Sequence, residues 1–113
     1  MLKNLVFIDT ETGGLPGLGL DVSRIGLTEV AAYAFDIDPG TWEINERAFL
    51  QTYVRPVDGL VYDRFALHLQ STPEREITLD FLDEHGRPEA EVASQLYGFF
   101  SYYLPDNAPN FNI

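Results

Sequence analysis

A chain of 113 residues with 45% hydrophobic and 13% aromatic content is long enough for one globular domain or part of one, and too apolar for a disordered segment. The absence of cysteine removes disulfides and thiolate metal sites, and no apolar run approaches the roughly 20 residues that span a bilayer, so the default expectation is a cytoplasmic protein without a membrane partner. A net charge of −11 excludes a general nucleic-acid coat, which needs a basic stripe, but not a protein that grips only a strand end through metal ions.

The first stretch, Asn4 to Leu15, is an apolar strand that delivers Asp9 and Glu11 to one side of its C-terminal end and then breaks at Gly13-Gly14. Residues two apart on a strand point the same way, so Asp9 and Glu11 share a face and Thr10 points to the other. The run Leu5 to Ile8 predicts a strand covered on both faces. Two acids at its end are costly to desolvate together unless a cation lies between them, and a hard divalent ion is the usual one. Gly13, Gly14, Pro16, Gly17 and Gly19 then predict a surface loop to about Asp21.

A second strand is predicted over 26–35, with imperfect alternation, followed by a turn at Asp36-Ile37-Asp38-Pro39-Gly40. A third strand, Trp42 to Arg55, ends at Pro56, and the short turn makes the pair an antiparallel hairpin. Residues 56–76 are too apolar for a linker and predict a packed irregular segment with one helical turn. Thr78 is a candidate N-cap for a short helix, Leu79 to His85, closed by Gly86. Pro88 suits the first turn of a longer helix to about Tyr103, where Val92, Leu96, Phe99, Phe100 and Tyr103 form one apolar stripe. The fold class is α/β, with three N-terminal strands followed by helices. A first strand buried on both faces needs further strands beside it, so the fold is expected to be truncated before its fourth strand.

Phe7-Ile8-Asp9-Thr10-Glu11-Thr12-Gly13-Gly14-Leu15 closely resembles the first motif of the DEDD-type 3′→5′ exonucleases, a family that includes polymerase proofreading domains, oligoribonucleases and ribonuclease T. Weaker likeness extends to the second strand at Glu29-Val30-Ala31-Ala32-Tyr33, to Tyr53-Val54-Arg55-Pro56, and to the helix from Glu89. The resemblance implies a ribonuclease-H-like fold with a mixed sheet, the whole of 1–113 being the N-terminal portion of one exonuclease domain. It implies that Asp9 and Glu11 are catalytic and ligate two Mg²⁺ or Mn²⁺ ions. It places Thr12, Gly13, Gly14 and Leu15 against the terminal nucleotide of a single-stranded DNA or RNA 3′ end, with nucleoside 5′-monophosphates as products. DNA and RNA are not distinguished, nor are proofreading, recycling and trimming.

The family pattern also needs two further acids and a general base of the third motif, His or Tyr. In one register Asn110-Phe111 opens the second motif and the chain stops before its acid; in the other Asn112 stands in the acid's place. The first is favoured, because the fold itself is expected to stop there. His68 and His85 read as structural residues, Asp36 and Asp38 as turn acids, and the aromatics Tyr97, Phe99, Phe100, Tyr102 and Tyr103 as core packing. The 113 residues alone are therefore expected to be inactive or nearly so. Two alternatives remain: a degenerate nuclease-like binding module, or one half of a split exonuclease completed by another polypeptide.

Overall fold

The computed structural model, which describes residues 3–14 and 21–104, folds the three segments rich in apolar, β-branched and aromatic residues as strands. These are β1 (Lys3–Thr12), β2 (Leu27–Ile37) and β3 (Ile44–Tyr53). They form one sheet in the order β1-β2-β3, antiparallel throughout. Three helices follow: α1 (Arg64–Leu69), α2 (Leu79–His85) and α3 (Glu89–Tyr103). The expected mixed sheet is thus corrected among the described residues. Each strand reverses onto its predecessor, and the parallel contacts are confined to the single bridges Ile25–Val61 and Val54–Arg87.

Along β2 the burial alternates without exception, and Thr28, Val30, Ala32, Ala34 and Asp36 are all buried. The alternation is blurred in the sequence because alanine occupies both faces, at Ala31 and at Ala32 and Ala34. The strand also runs further than its sequence suggests. Asp36 is a strand residue rather than a turn residue, held by Arg47 Nη1 at 2.7 Å. The reversal closes instead with the Trp42 N–H donating to the Asp38 carbonyl at 2.7 Å. Trp42 takes a left-handed φ of 60° there, so β3 begins two residues later than the tryptophan.

The inner face of the sheet carries the core. Val30 and Val54 pack with Val92 of α3, flanked by Ile8, Leu27 and Leu96. A second cluster joins Leu67 of α1 to Ile77 and Leu82 of α2, with Tyr53, Tyr62 and Phe81 around it. The predicted stripe on α3 is confirmed at Val92 and Phe100, both buried. Tyr97 and Tyr102 are exposed, so the aromatic cluster is only partly core.

Segment 56–76, expected to be largely irregular, contains α1. Asp63 starts that helix by accepting from the Phe65 and Ala66 N–H groups at 3.0 and 3.1 Å. The α2 bounds match the expectation, with the Thr78 hydroxyl accepting from the Phe81 N–H at 3.0 Å. Gly86 closes α2 in an extended conformation (φ −79°, ψ 154°), not a left-handed one. Glycine is required by crowding, since a Cβ there would strike the Leu82 carbonyl and the backbone of Val54 and Arg55. Pro88 stands just outside α3, at the N-cap.

The expectation that β1 is covered on both faces is not met among the described residues. β1 is an edge strand, and Leu5 and Phe7 are 40% and 57% exposed. With Tyr33, Phe35 and Phe49 they form an open aromatic face, in which Phe7 meets Phe35 edge-on at 5.6 Å and Tyr33 lies 4.8 Å from Phe49. No described helix is long and apolar enough to cross a membrane. Leu15, and the motif alternatives at Asn110, Phe111 and Asn112, lie outside the described residues.

Candidate active site

The strand period places Asp9 and Glu11 on the open face of β1, as their spacing requires. The ladder sets Asp9 opposite Ala31 and Glu11 opposite Glu29, so a third carboxylate joins the pair on the same face. The register then slips: Thr12 faces Leu27, which leaves Thr28 as an extra residue on β2. This bulge is pinned from α1. The buried Thr28 hydroxyl donates to Gln70 Oε1 at 2.7 Å, and Gln70 Nε2 donates to the Thr12 carbonyl at 2.7 Å. One side chain just after α1 therefore fixes where the acidic end of β1 lies.

Two clefts meet at Glu11 and Glu29. One, of about 360 Å³, is bounded by Asp9, Glu11, Glu29, Tyr33, Phe49, Gln51 and Arg75. The other, of about 250 Å³, is bounded by Thr10, Glu11, Thr12, Gly14, Glu29, Leu69 and Gln70. Asp9 and Glu11 thus border the first cleft, and Glu11, Thr12 and Gly14 the second.

Gly13 is elsewhere. It is buried, and its close approach is made by the chain itself: a Cβ on Gly13 would lie 2.7 Å from Tyr62 Cα and 2.8 Å from the Val61 carbonyl. Gly14 is pressed by Ile25, where a Cβ would lie 2.7 Å from Cδ1. Gly26 is fully occupied by the Tyr62 ring. The Gly13 N–H donates to the Gly26 carbonyl at 2.8 Å and the Asp63 N–H to the Gly13 carbonyl at 2.7 Å. Internal packing therefore accounts for these glycines, and it ties the strand end to the start of α1.

Three carboxylates and one guanidinium, that of Arg75, border the first cleft. Burial raises the Glu11 carboxyl above its ordinary 4.5, and the charges of Asp9 and Glu29 raise it further. Glu29 accepts a hydrogen bond from Gln51 Nε2 at 2.6 Å. Among the described residues none of the three acids has a cationic partner within 4.0 Å. Hard oxygen donors of this kind suit Mg²⁺ or Mn²⁺. The fit is partial, however, because no group of three His, Asp or Glu among the described residues converges closely enough to hold an ion. Asp9 and Glu11 would supply two ligands of a larger set.

The histidines take no part. His68 is exposed on α1 and lies 6.4 Å from the Phe65 ring; the His85 ring lies tilted against Phe81 at 4.6 Å. Three groups of the site were not identified from the sequence as site residues: Glu29, Gln70 and Arg75. Glu29 enters through strand register, which the loop between β1 and β2 leaves unspecified in sequence. Gln70 and Arg75 enter through the packing of segment 62–76, and nothing in their sequence neighbourhood marks them.

No protein-family model matches the sequence, and no curated protein matches it. A solved structure described as a full-length 3′-exonuclease superimposes on 88% of this chain with a TM-score of 0.53 and 19% sequence identity. The chain spans 29% of that protein's length. The likeness is one of fold alone: a three-stranded antiparallel sheet followed by helices.

Proposed function

We propose that residues 1–113 are the N-terminal portion of a metal-dependent 3′→5′ exonuclease domain of the DEDD type, with a ribonuclease-H-like fold. The observation that carries this reading is the crowding of Asp9, Glu11 and Glu29 at the end of β1, without a cationic partner among the described residues, in a fold shared with a 3′-exonuclease. Like charges held together raise the free energy of the folded chain, and a divalent cation is the ligand that relieves this. Asp9 and Glu11 hold Mg²⁺ or Mn²⁺. A divalent ion held there would supply an activated water and Lewis-acid stabilisation of negative charge for phosphodiester hydrolysis.

The chain's own residues do the rest. Thr12 and Gly14 border the seat of the terminal nucleotide, and Gly13 sets the direction of the chain there through its contacts with 61–63. Gln70 keeps the Thr12 carbonyl engaged, so the groove floor is formed before substrate arrives. The substrate is a single-stranded DNA or RNA 3′ end, in keeping with a net charge of −11 that disfavours long duplex. The product is a nucleoside 5′-monophosphate and the setting is cytoplasmic.

Calorimetric titration with Mn²⁺ tests the reading. The chain binds Mn²⁺ and Asp9→Asn abolishes the binding, while the 113 residues alone release no mononucleotides because two ligands do not complete a two-ion site. Absence of Mn²⁺ binding refutes the metal assignment. Mg²⁺-dependent mononucleotide release by these residues, abolished by Asp9→Ala, refutes the expected inactivity.

A second reading is favoured by the open face and edge of β1: the remaining acids arrive on a complementing polypeptide that covers Leu5 and Phe7. Co-purification with a polypeptide that restores exonuclease activity supports it; a stable but inert complex counts against it.

A further inference from the structure

Among the described residues, Arg75 is the only cationic side chain bordering the cleft that holds Asp9, Glu11 and Glu29. An arginine beside three carboxylates ordinarily pairs with one of them, because the guanidinium fork matches a carboxylate. Here it does not: among the described residues Arg75 has no carboxylate within 4.0 Å. Its guanidinium carbon instead stands 5.4 Å from the centre of the Tyr53 ring. Tyr53 is itself braced edge-on by Phe81 at 5.0 Å.

The backbone beneath Arg75 is equally set. The Thr72 N–H donates to the Arg75 carbonyl at 2.9 Å, and the Arg75 N–H returns to the Thr72 carbonyl at 3.1 Å. Ser71 ties this turn to its surroundings, its hydroxyl donating to the Leu67 carbonyl at 3.1 Å and accepting from the Ile77 N–H at 2.8 Å. The guanidinium is held at the Tyr53 side chain, by its ring and by a hydrogen bond to its hydroxyl, and has no carboxylate partner among the described residues although it borders the cleft of Asp9, Glu11 and Glu29.

We propose that Arg75 is the phosphate-binding arm of this cleft, its guanidinium receiving a backbone phosphate of the nucleic-acid strand whose 3′ end lies at Asp9 and Glu11. The assignment rests on the nuclease reading for the identity of the anion, while the seat itself rests on the geometry of Arg75. Tyr53 is a positioning residue: it holds the guanidinium over the cleft in the absence of substrate, which reduces the rotamer freedom lost on binding.

Fluorescence anisotropy of a short oligothymidylate with the 113-residue chain in Mn²⁺, across a salt series, tests the proposal. Arg75→Ala is expected to weaken binding about tenfold and to lower the salt slope by about 0.7, the value for one phosphate contact on a single strand. Arg75→Lys keeps the slope and loses several-fold in affinity, since the point charge survives and the fork does not; this variant also guards against a folding defect in the alanine form. Unchanged affinity and slope in Arg75→Ala overturn the proposal. So does tighter Mn²⁺ binding in that variant with oligonucleotide binding unchanged, which identifies Arg75 as an internal counter-ion. Should the unaltered chain bind Mn²⁺ but no oligonucleotide, the nuclease reading fails separately, and titration with inorganic pyrophosphate decides the arm. Pyrophosphate binding lost in Arg75→Ala sustains an anion seat; binding that is equal in both, or absent from the unaltered chain, overturns it.

Discussion

Replacing Glu11 by glutamine removes one charge from a place where three like charges meet, and the effect on stability can be worked out. Glu11 faces Glu29 across the ladder and stands two residues from Asp9 on the same face. Cross-strand partners and strand neighbours on one face are separated by about 5–7 Å. At a separation of about 6 Å in a water-like dielectric each pair repels by about 0.7 kcal/mol. A Debye length of about 8 Å at physiological salt roughly halves that, leaving about 0.6–0.7 kcal/mol for the two pairs together. Partial burial of the carboxylate adds to the penalty, so Glu11→Gln is expected to stabilise the chain by about 1 kcal/mol near neutral pH, or about 4 °C in Tm.

The pH dependence has a definite sign. Folding raises the Glu11 carboxyl above its ordinary 4.5, so the protonated form is the one that folding favours. The stability this group contributes is fully present below the unfolded value and is lost as pH rises through the raised folded value. The glutamine variant mimics the protonated form. Its advantage should therefore be full near neutral pH, shrink as pH falls through the carboxylate range, and vanish below it. Thermal melts by circular dichroism at neutral and acidic pH measure this directly. Adding Mn²⁺ at ten times its dissociation constant should raise the stability of the unaltered chain by about 1.4 kcal/mol and that of the variant by much less. A variant that is less stable than the parent at neutral pH, or whose advantage persists unchanged in acid, refutes the electrostatic reasoning.

Gln70→Ala leaves the Thr28 hydroxyl and the Thr12 carbonyl without their partner, so a loss of about 1–3 kcal/mol is expected in denaturant titration, with faster amide exchange at α1 and at the bulge. Gly26→Ala forces a Cβ into the Tyr62 ring; a destabilisation of about 1–3 kcal/mol is expected, relieved by Tyr62→Ala in a double-mutant cycle. Leu82 is completely buried at the centre of the α1–α2 cluster, and Leu82→Ala should cost about 2–5 kcal/mol by chemical denaturation.

Much of the local structure is legible in the sequence because it depends on neighbours along the chain. Thr78 starts α2 as its side-chain chemistry dictates, and the spacing of Val92, Leu96 and Phe100 marks the buried face of α3. The strand period alone sets Asp9 and Glu11 on one side of β1. Where the reading of residues fell short, the cause was non-local or a matter of degenerate chemistry. Alanines on both faces concealed the regular alternation of β2. Asp36, followed by a turn signal, belongs to the sheet because Arg47 on the next strand reaches it. Segment 56–76 lacks a clear period because α1 is only six residues long, and its cap, Asp63, sits among residues engaged with Gly13 and Gly26.

The sequence by itself therefore determined the order of the three strands and of α2 and α3, the start of α2 and the pair of carboxylates at the end of β1. Each of these follows from a backbone period or from a side chain that bonds within a few residues of itself. Only the tertiary structure decided that Glu29 stands opposite Glu11, that Gln70 clamps Thr28 and Thr12, and that Arg75 rests on Tyr53 at the edge of the same cleft. Those three facts depend on register and on packing between segments far apart in the chain, and no local preference encodes them. It was likewise the fold that assigned Gly13 and Gly26 to the passage of Tyr62, where glycine is required because another part of the same chain occupies the space of its Cβ.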